Sequence, residues 1–283
     1  MLYVVGAVVV VVVVVLVAFV VLPSLSSSGG ASGPLTYAKA EPIASGAMSG
    51  YQGGGWSVLF AVGLATPTSE SFPTNTSALG NLSSSGCTYH LVTSASSYTI
   101  PGFIGNRSSG ETPAWEFGFR NTSYTLAIAS VINGQASVLA TITGTECAFF
   151  AELLTPIPAN VIDSSQAAAD VQPYAQAFLS AHPNATAEFA VLGGLNFLGR
   201  TTPTEWSVIY TTCAVTPNSS GTGEQFNATV NGLTGAVSGV QTNNSAVCGS
   251  TTITAAHPVP GTAGIDPTVT RSIVAAARVA EPA

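Results

Sequence analysis

Charge is what this sequence lacks most. Only 7% of its 283 residues are Asp, Glu, Lys or Arg, against about 25% in a typical soluble domain. Six basic residues face thirteen acidic ones, which gives a formal net charge of −7. So few cations cannot neutralise a phosphate backbone, and we therefore expect no nucleic-acid partner. The low charge, combined with 46% hydrophobic residues, also argues against a disordered chain.

Familiar catalytic motifs are absent as well. The sequence has no G-x-S-x-G, H-E-x-x-H or Walker A pattern. Its three histidines, His90, His182 and His257, are widely separated and show no metal-ligand spacing. We therefore expect no metal, no cofactor and no enzyme activity.

A carboxylate pair for acid–base catalysis would have to come from a small set of residues. These are Glu111, Glu116, Glu146, Glu152 and Glu205. Glu116 and Glu205 each adjoin a tryptophan in an expected strand, so desolvation could raise their pKa. Strand alternation favours the other interpretation, in which both carboxylates face water while the tryptophans face the core.

Aromatic residues are concentrated in the same expected strands. They could form a binding face for a sugar or peptide, but core positions are the more common role of such residues, and we predict a core. The residues are Trp56, Trp115, Trp206, Phe117, Phe119 and Tyr210.

An uncharged apolar run opens the sequence. Leu2–Leu22 contains thirteen valines, and its 21 residues would reach about 31 Å as a helix, close to the roughly 30 Å of a bilayer core. A cleavable signal peptide usually has a shorter apolar region and a basic start. We predict a single-pass transmembrane helix that holds the chain in a lipid bilayer. The alternative is a signal peptide cleaved within the following Ser24–Gly33.

Eight Asn-x-Ser/Thr sequons indicate that the body of the chain lies outside the cell. Thirteen asparagines in a chain with 64 serines and threonines would give about three sequons by chance. We therefore predict glycosylation at these asparagines, although a Ser/Thr-rich chain also collects sequons by accident. They are Asn75, Asn81, Asn106, Asn121, Asn184, Asn218, Asn227 and Asn243.

Four cysteines support the same location. Cys87, Cys147, Cys213 and Cys248 show no metal-ligand spacing, and an even number favours disulfides in an extracellular protein. Three pairings are open. We favour Cys87–Cys147 and Cys213–Cys248, because each closes within one expected module; four buried free thiols are the alternative.

The near-absence of ionisable groups suggests an acidic habitat. Solubility must come from hydroxyls, amides and sugars, and such a surface changes little with pH. We offer as a hypothesis that the source is an acid-living archaeon. The expected test is folding that persists at about pH 2.

Composition divides the chain into five parts. We expect a transmembrane anchor at 1–23, a Ser/Gly-rich stalk at 24–35, a β-rich module at 36–155, a second α+β module at 156–250, and a Pro/Gly-rich tail at 251–283 with a terminal helix. The expected fold class is α+β, mainly antiparallel, with two small helix-on-sheet modules.

Local patterns place the elements. The strongest signal is a hairpin with Asn133-Gly134 between two β-branched runs, Tyr124–Ile132 and Gln135–Thr143. Asp163 is an expected N-cap for a helix that Pro173 should kink or split.

The remaining elements are predicted from shorter patterns. We expect a short helical segment at 35–48, a long loop at 66–86 and a second Asn-Gly turn at Asn231-Gly232. Strands are predicted at 56–64, 87–93, 114–120, 188–192, 205–215, 224–230 and 236–241.

A weak internal repeat is visible. Trp115, Asn133-Gly134 and Cys147 recur as Trp206, Asn231-Gly232 and Cys248. A competing alignment matches the segment at Trp56 with that at Trp206, so the register of the repeat stays open.

Residues 161–241 resemble a PepSY-like module. The likeness depends on a helix, a strand, a Trp-containing strand and then the run Phe226–Val237, which includes Val-Asn-Gly-Leu-Thr-Gly. The resemblance implies one helix packed on an antiparallel sheet and a recognition or inhibitory role without catalysis. It would use a sheet edge to pair with an extended peptide.

A second resemblance concerns archaeal pilin-like subunits. Gly6-Ala7 followed by the valine run is similar to their processing region. This implies a filament whose core is the apolar helix, with neighbouring subunits as partners.

Three functions follow from these observations. The first is a non-catalytic, membrane-anchored cell-surface protein with a recognition or envelope-structural role. The second is a pilin-like subunit of an extracellular filament. The third is a secreted hydrolase with an unrecognised site.

Overall fold

The protein has an α+β fold dominated by one large antiparallel sheet with few helices. A computed structural model describes residues 33–65, 67–73, 88–91, 97–103, 107–197, 200–213 and 221–248. No helix within these ranges combines the length and apolarity needed to cross a bilayer. The predicted anchor, most of the stalk, the tail and its terminal helix lie outside the described residues.

Three helices and thirteen strands make up the described chain. The helices are α1 (Tyr37–Ser49), α2 (Thr145–Leu153) and α3 (Ser164–Ala181), with 3₁₀ turns at Tyr51–Gly53 and Arg107–Ser109. The first seven strands are β1 (Ser57–Leu64), β2 (Glu70–Pro73), β3 (Thr88–Leu91), β4 (Ser97–Ile100), β5 (Ala114–Arg120), β6 (Leu126–Ile132) and β7 (Gln135–Thr143). The others are β8 (Thr186–Leu192), β9 (Asn196–Phe197), β10 (Arg200–Thr201), β11 (Glu205–Thr211), β12 (Gly221–Asn231) and β13 (Val237–Cys248).

The main sheet consists of two halves with the same order of elements. Its nine strands run β13-β12-β11-β8-β1-β5-β6-β7-β3, and the small pairs β2–β4 and β9–β10 lie outside it. The first half contains α1, β1, β5, β6 and β7; the second contains α3, β8, β11, β12 and β13. The halves join where β1 pairs with β8 in antiparallel register.

Two tryptophans occupy equivalent places in the halves. Trp115 is the second residue of β5, and Trp206 is the second residue of β11. Each indole N–H donates to the carbonyl two residues before the helix of its own half, at Leu35 (2.8 Å) and Ile162 (3.1 Å). The structure therefore agrees with the repeat register that matches these tryptophans. Trp56 lies just before β1, outside this equivalence.

The N-termini of α1 and α3 are joined by hydrogen bonds. The buried Ser164 hydroxyl accepts from the Tyr37 backbone N–H at 2.9 Å and donates to the Gly110 carbonyl at 2.7 Å. Asp163 stands at the predicted N-cap position of α3, yet its carboxylate accepts from the Ala38 N–H of α1 at 2.7 Å. Two backbone N–H groups at the start of α1 thus depend on residues of the second half.

The two Asn-Gly pairs behave differently. Asn133 and Gly134 have φ values of 51° and 77°, which confirms the predicted tight hairpin between β6 and β7. Asn231-Gly232 instead begins a longer loop before β13, where the positive φ falls on Gly235. The Asn231 side chain stabilises that loop, because its Oδ1 accepts two backbone N–H groups.

Some local predictions were wrong. Of the two effects predicted for Pro173, the split does not occur, because α3 is continuous from Ser164 to Ala181. The segment predicted as a long loop at 66–86 contains strand β2, and its part from 74 onward lies outside the described residues. The remaining strand predictions each overlap an observed strand, and the one at Ala114–Arg120 coincides with β5.

Both faces of the first half are buried. The helix α1 packs against β1, β5, β6 and β7 on one face, and these residues join those under α3 in a single core cluster that contains Trp115, Phe117 and Trp206. On the opposite face Leu59 and Ile128 have no exposed surface, and α2 packs against β6 and β7. A residue on either side of these strands is therefore removed from water.

Candidate binding sites

A small cavity lies where β5 ends and the next turn begins. Its volume is about 260 Å³. It is lined by Gly55, Ser57, Arg120, Asn121, Thr122 and Tyr124. None of these lining residues is acidic.

Asn121 builds the turn beside this cavity. Its Oδ1 accepts the backbone N–H groups of Ser123 and Thr125, at 3.0 and 2.9 Å. The turn places Tyr124 at φ = 59°, a left-handed conformation that is uncommon for a bulky side chain. The Tyr124 ring, which is 40% exposed, is thereby held next to Arg120.

Arg120 is fixed on two sides. Its Nη1 donates to the carbonyls of Ala151 (2.5 Å) and Leu154 (2.8 Å), at the C-terminal end of α2, where a cation is favoured. Its guanidinium carbon lies 5.4 Å from the centroid of the Tyr124 ring. A guanidinium held in this way keeps one orientation at the cavity wall.

Glu116 contradicts the expectation that it faces water. Only 3% of this residue is exposed, and neither carboxyl oxygen has a hydrogen-bond partner in the described structure. Its neighbour across the β5–β6 pair is Ser130, whose hydroxyl is likewise buried without a partner. Burial raises the pKa of Glu116 to about 8. The tryptophan does face the core as predicted, but the opposite face of β5 is buried too.

The other candidate carboxylates do not form a catalytic pair with Glu116. Burial raises the pKa of Glu205 too, but β8 and β1 separate its strand from β5. Three inter-strand spacings correspond to about 14 Å, beyond the separation of paired carboxylates in glycosidases. Glu111 lies 3.8 Å from the Lys39 ammonium, and Glu152 is exposed on α2. The structure says nothing of the Glu146 side chain.

The predicted aromatic residues are in the core. Five of the six are fully or almost fully buried: Trp115, Trp206, Phe117, Phe119 and Tyr210. Trp56 is half-buried, and its indole N–H donates to the Tyr51 carbonyl at 2.8 Å. This confirms the core interpretation for the five buried residues.

The histidines lie apart in the described structure. His90 is exposed in β3, where its Nε2 is 3.3 Å from the Thr143 hydroxyl. His182 follows α3, with its Nε2 3.0 Å from Glu224 Oε2. His257 lies outside the described residues.

The cysteines occupy both halves. Cys147 is buried in α2, and Cys213 is half-buried just after β11. No described cysteine has a free thiol. Cys87 is outside the described residues, Cys248 ends β13, and the predicted pairing stays a prediction.

The described sequon asparagines differ in accessibility. Asn184 and Asn243 are exposed, Asn121 is half-buried in its turn, and Asn227 lies in β12 with its Oδ1 buried and without a partner. The remaining four lie outside the described residues: Asn75, Asn81, Asn106 and Asn218.

The sheet ends in two unlike outer strands. β3 has four residues and pairs with β7, whereas β13 has twelve and pairs with β12. The residues of β13 from 238 to 245 are exposed, and the strand contains no charged residue and no proline. Such an edge is open to pairing with another strand.

Sequence reasoning missed the cavity beside Arg120. The available signal was an Asx-type turn, Asn121-Thr-Ser-Tyr-Thr, directly after an arginine that ends an apolar strand. From the sequence, Asn121 is predicted only as a sequon.

Comparison with family models, with curated proteins and with solved structures finds no match to this chain.

Proposed function

We propose that this is a non-catalytic, membrane-anchored cell-surface protein that recognises an extended segment of a partner through β13. The anchor at Leu2–Leu22 and the outward location of the body come from the sequence. The observation that carries the recognition role is the length, exposure and lack of charge of β13. An added strand would gain main-chain hydrogen bonds along this edge.

The shape of β13 favours a specific partner. Its register against β12 shifts twice, between Gly223 and Gln225 and between Asn227 and Thr229. Gly239 adopts φ = 60° near the second shift. Irregularities of this kind twist an edge and oppose flat, indiscriminate pairing. A partner strand must therefore match the local twist of β13.

The covalent features agree with an extracellular location. Neither Cys147 nor Cys213 has a free thiol, and disulfide bonds at these residues would be typical of an oxidising compartment. Pairing as Cys87–Cys147 and Cys213–Cys248 remains part of this proposal. The exposed sequons at Asn184 and Asn243 are accessible to a glycosyltransferase.

We also propose that residues 161–241 form a PepSY-like module. The order α3, β8, β11 with Trp206, and then β12 agrees with the elements that the resemblance needs. The first half repeats this order, which supports two related helix-on-sheet modules.

Hydrogen exchange tests the role of β13. We expect the outward amides of Gln241–Asn243 to exchange quickly in the purified chain and at least about tenfold more slowly in the native envelope, because a partner strand would protect them. A double variant, Val240→Lys with Thr242→Lys, adds charges at the exposed edge and should abolish the slowing. Ser180→Lys, at an exposed position of α3, is the matched control and should leave it unchanged.

Two outcomes decide against the proposal as stated. Equal exchange rates in the purified chain and in the envelope would exclude pairing at β13. Protection accompanied by cross-links only between copies of this chain would favour the pilin-like alternative, in which a neighbouring subunit supplies the strand.

A further inference from the structure

We propose that the cavity beside Arg120 binds a small carboxylate, from the size of acetate to that of a single sugar acid. This site lies at the end of β5, in the first half of the sheet, whereas β13 ends the second half. The proposal is therefore independent of the role of β13.

Arg120 supplies the recognition. Both of its hydrogen bonds in the described structure use Nη1, which leaves the N–H groups of Nε and Nη2 for a ligand. A guanidinium presents two parallel N–H groups that match the two oxygens of a carboxylate. The carbonyls on one side and the Tyr124 ring on the other restrict its rotation, so little order is lost on binding.

The remaining lining groups also suit an anion. The Asn121 Oδ1 is used by two backbone amides, and the Nδ2 of the unglycosylated side chain keeps two donors for a ligand. Ser57 and Thr122 add hydroxyls. Since no acidic residue lines the cavity, nothing there repels a negative charge, although the whole chain carries a formal charge of −7.

Size and backbone conformation narrow the ligand class. A cavity of about 260 Å³ is smaller than the roughly 300–1,000 Å³ of sites for drug-sized ligands. Tyr124 is held in an uncommon φ region by the Asn121 turn, and strained residues of this kind cluster at ligand sites. A compact carboxylate, up to the size of a single sugar acid, would fill this space.

Calorimetric titration of the full chain in detergent tests the proposal. The probes are glucuronate, its neutral counterpart glucose, acetate and inorganic phosphate. We expect saturable binding of glucuronate, with glucose at least about tenfold weaker, because only the acid engages the guanidinium. Binding should weaken below about pH 4 as the carboxylate of the probe is protonated.

Three variants separate binding from folding. Arg120→Gln should reduce glucuronate affinity at least about tenfold. Because this change also removes the hydrogen bonds to α2, Thr122→Trp serves as a second variant: it fills the cavity from an exposed position and leaves Arg120 intact. Ser123→Ala removes the Asn121 sequon without altering a lining residue, and should bind at least as well as the parent chain.

Three binding results would overturn the proposal. Equal affinity for glucose and glucuronate would exclude carboxylate recognition. Unchanged glucuronate binding by the folded Thr122→Trp variant would place the ligand elsewhere. Phosphate binding more tightly than both acetate and glucuronate would assign the cavity to a different class of anion.

Discussion

The two halves of the sheet share an order of elements but differ at their outer ends. In the first half, the last four residues of β7 are paired with the outer strand β3, and α2 packs against β7. In the second half, the outer strand β13 is exposed along residues 238–245. The same topology therefore provides one closed end and one open end. The exposed strand therefore lies in the second half, although both halves contribute buried residues to one core.

The largest loss of stability is expected from removing the two equivalent tryptophans, which tests whether the halves are energetically equivalent. Trp115→Ala and Trp206→Ala should each reduce the free energy of unfolding by about 3–5 kcal/mol, since both indoles are fully buried. Their rings are in edge contact, with centroids 6.3 Å apart, so the double variant should cost less than the sum. Urea unfolding measures all three. A large loss from only one tryptophan would mean that the halves are not energetically equivalent.

The second prediction compares β7, which β3 borders, with the outer strand β13. Leu139 in β7 is fully buried, and Leu139→Ala should cost about 2–5 kcal/mol. Val240 in β13 is 41% exposed, and Val240→Ala should cost less than about 0.5 kcal/mol. The measurement is again urea unfolding of the purified chain. Similar losses from the two changes would remove the contrast between the closed and open ends.

The third prediction concerns pH and the buried face of β5. The pKa of Glu116 is about 8 in the folded chain because of burial, while its ordinary value is 4.5. Between these values the folded state keeps the proton and the unfolded state loses it. The free energy of unfolding should therefore fall by a few kcal/mol as pH rises from 4.5 to 8, and stay level with respect to this group below 4.5.

Glu116→Gln isolates that contribution. Thermal unfolding across this pH range should show a flatter profile for Glu116→Gln than for the parent chain. Glu152→Gln, at an exposed site on α2, is the control and should keep the parent profile. An unchanged slope in Glu116→Gln would refute the assignment to Glu116. The predicted direction, greater stability in acid, agrees with the hypothesis of an acid-living source.

The smallest effect on stability is expected for the sequons. Asn184 and Asn243, which are exposed, should carry glycans, and Asn227 should not, because its side-chain Oδ1 is buried. Strand side chains stand perpendicular to the sheet, so a glycan on Asn243 would leave the hydrogen-bonding edge of β13 open. Glycopeptide mass spectrometry of the native protein measures occupancy. Substituting Asn184 by Gln should change the free energy of unfolding by less than about 0.5 kcal/mol.

Local structure could be predicted where a short pattern decides it. The Asn133-Gly134 hairpin follows from two residues that tolerate positive φ between β-branched runs. The position of β8 beside β1 could not be predicted in this way, because it depends on contacts between residues more than a hundred positions apart.

The burial of Glu116 shows the limit of strand alternation. Alternation identifies the face opposite Trp115, but whether that face meets water depends on what packs against it. A signal was present in the neighbouring strand, since Leu126–Ile132 is apolar at nearly every position, as in strands buried on both faces. The glycine two residues along β5, Gly118, is a second signal, because a glycine inside a strand often marks a close approach; in the structure an added Cβ there would lie 2.0 Å from the Phe60 ring.

The shared helix start has a consequence for synthesis. The Tyr37 backbone N–H donates to the hydroxyl of Ser164, which lies 127 residues later in the chain. At ordinary rates of translation Ser164 is synthesised roughly 6–25 s after Tyr37. During that interval α1 cannot complete its first turn with its native partner. A nascent chain stopped before Ser164 would therefore be an early target for chaperones and proteases, and the first half should not be recoverable as a folded fragment.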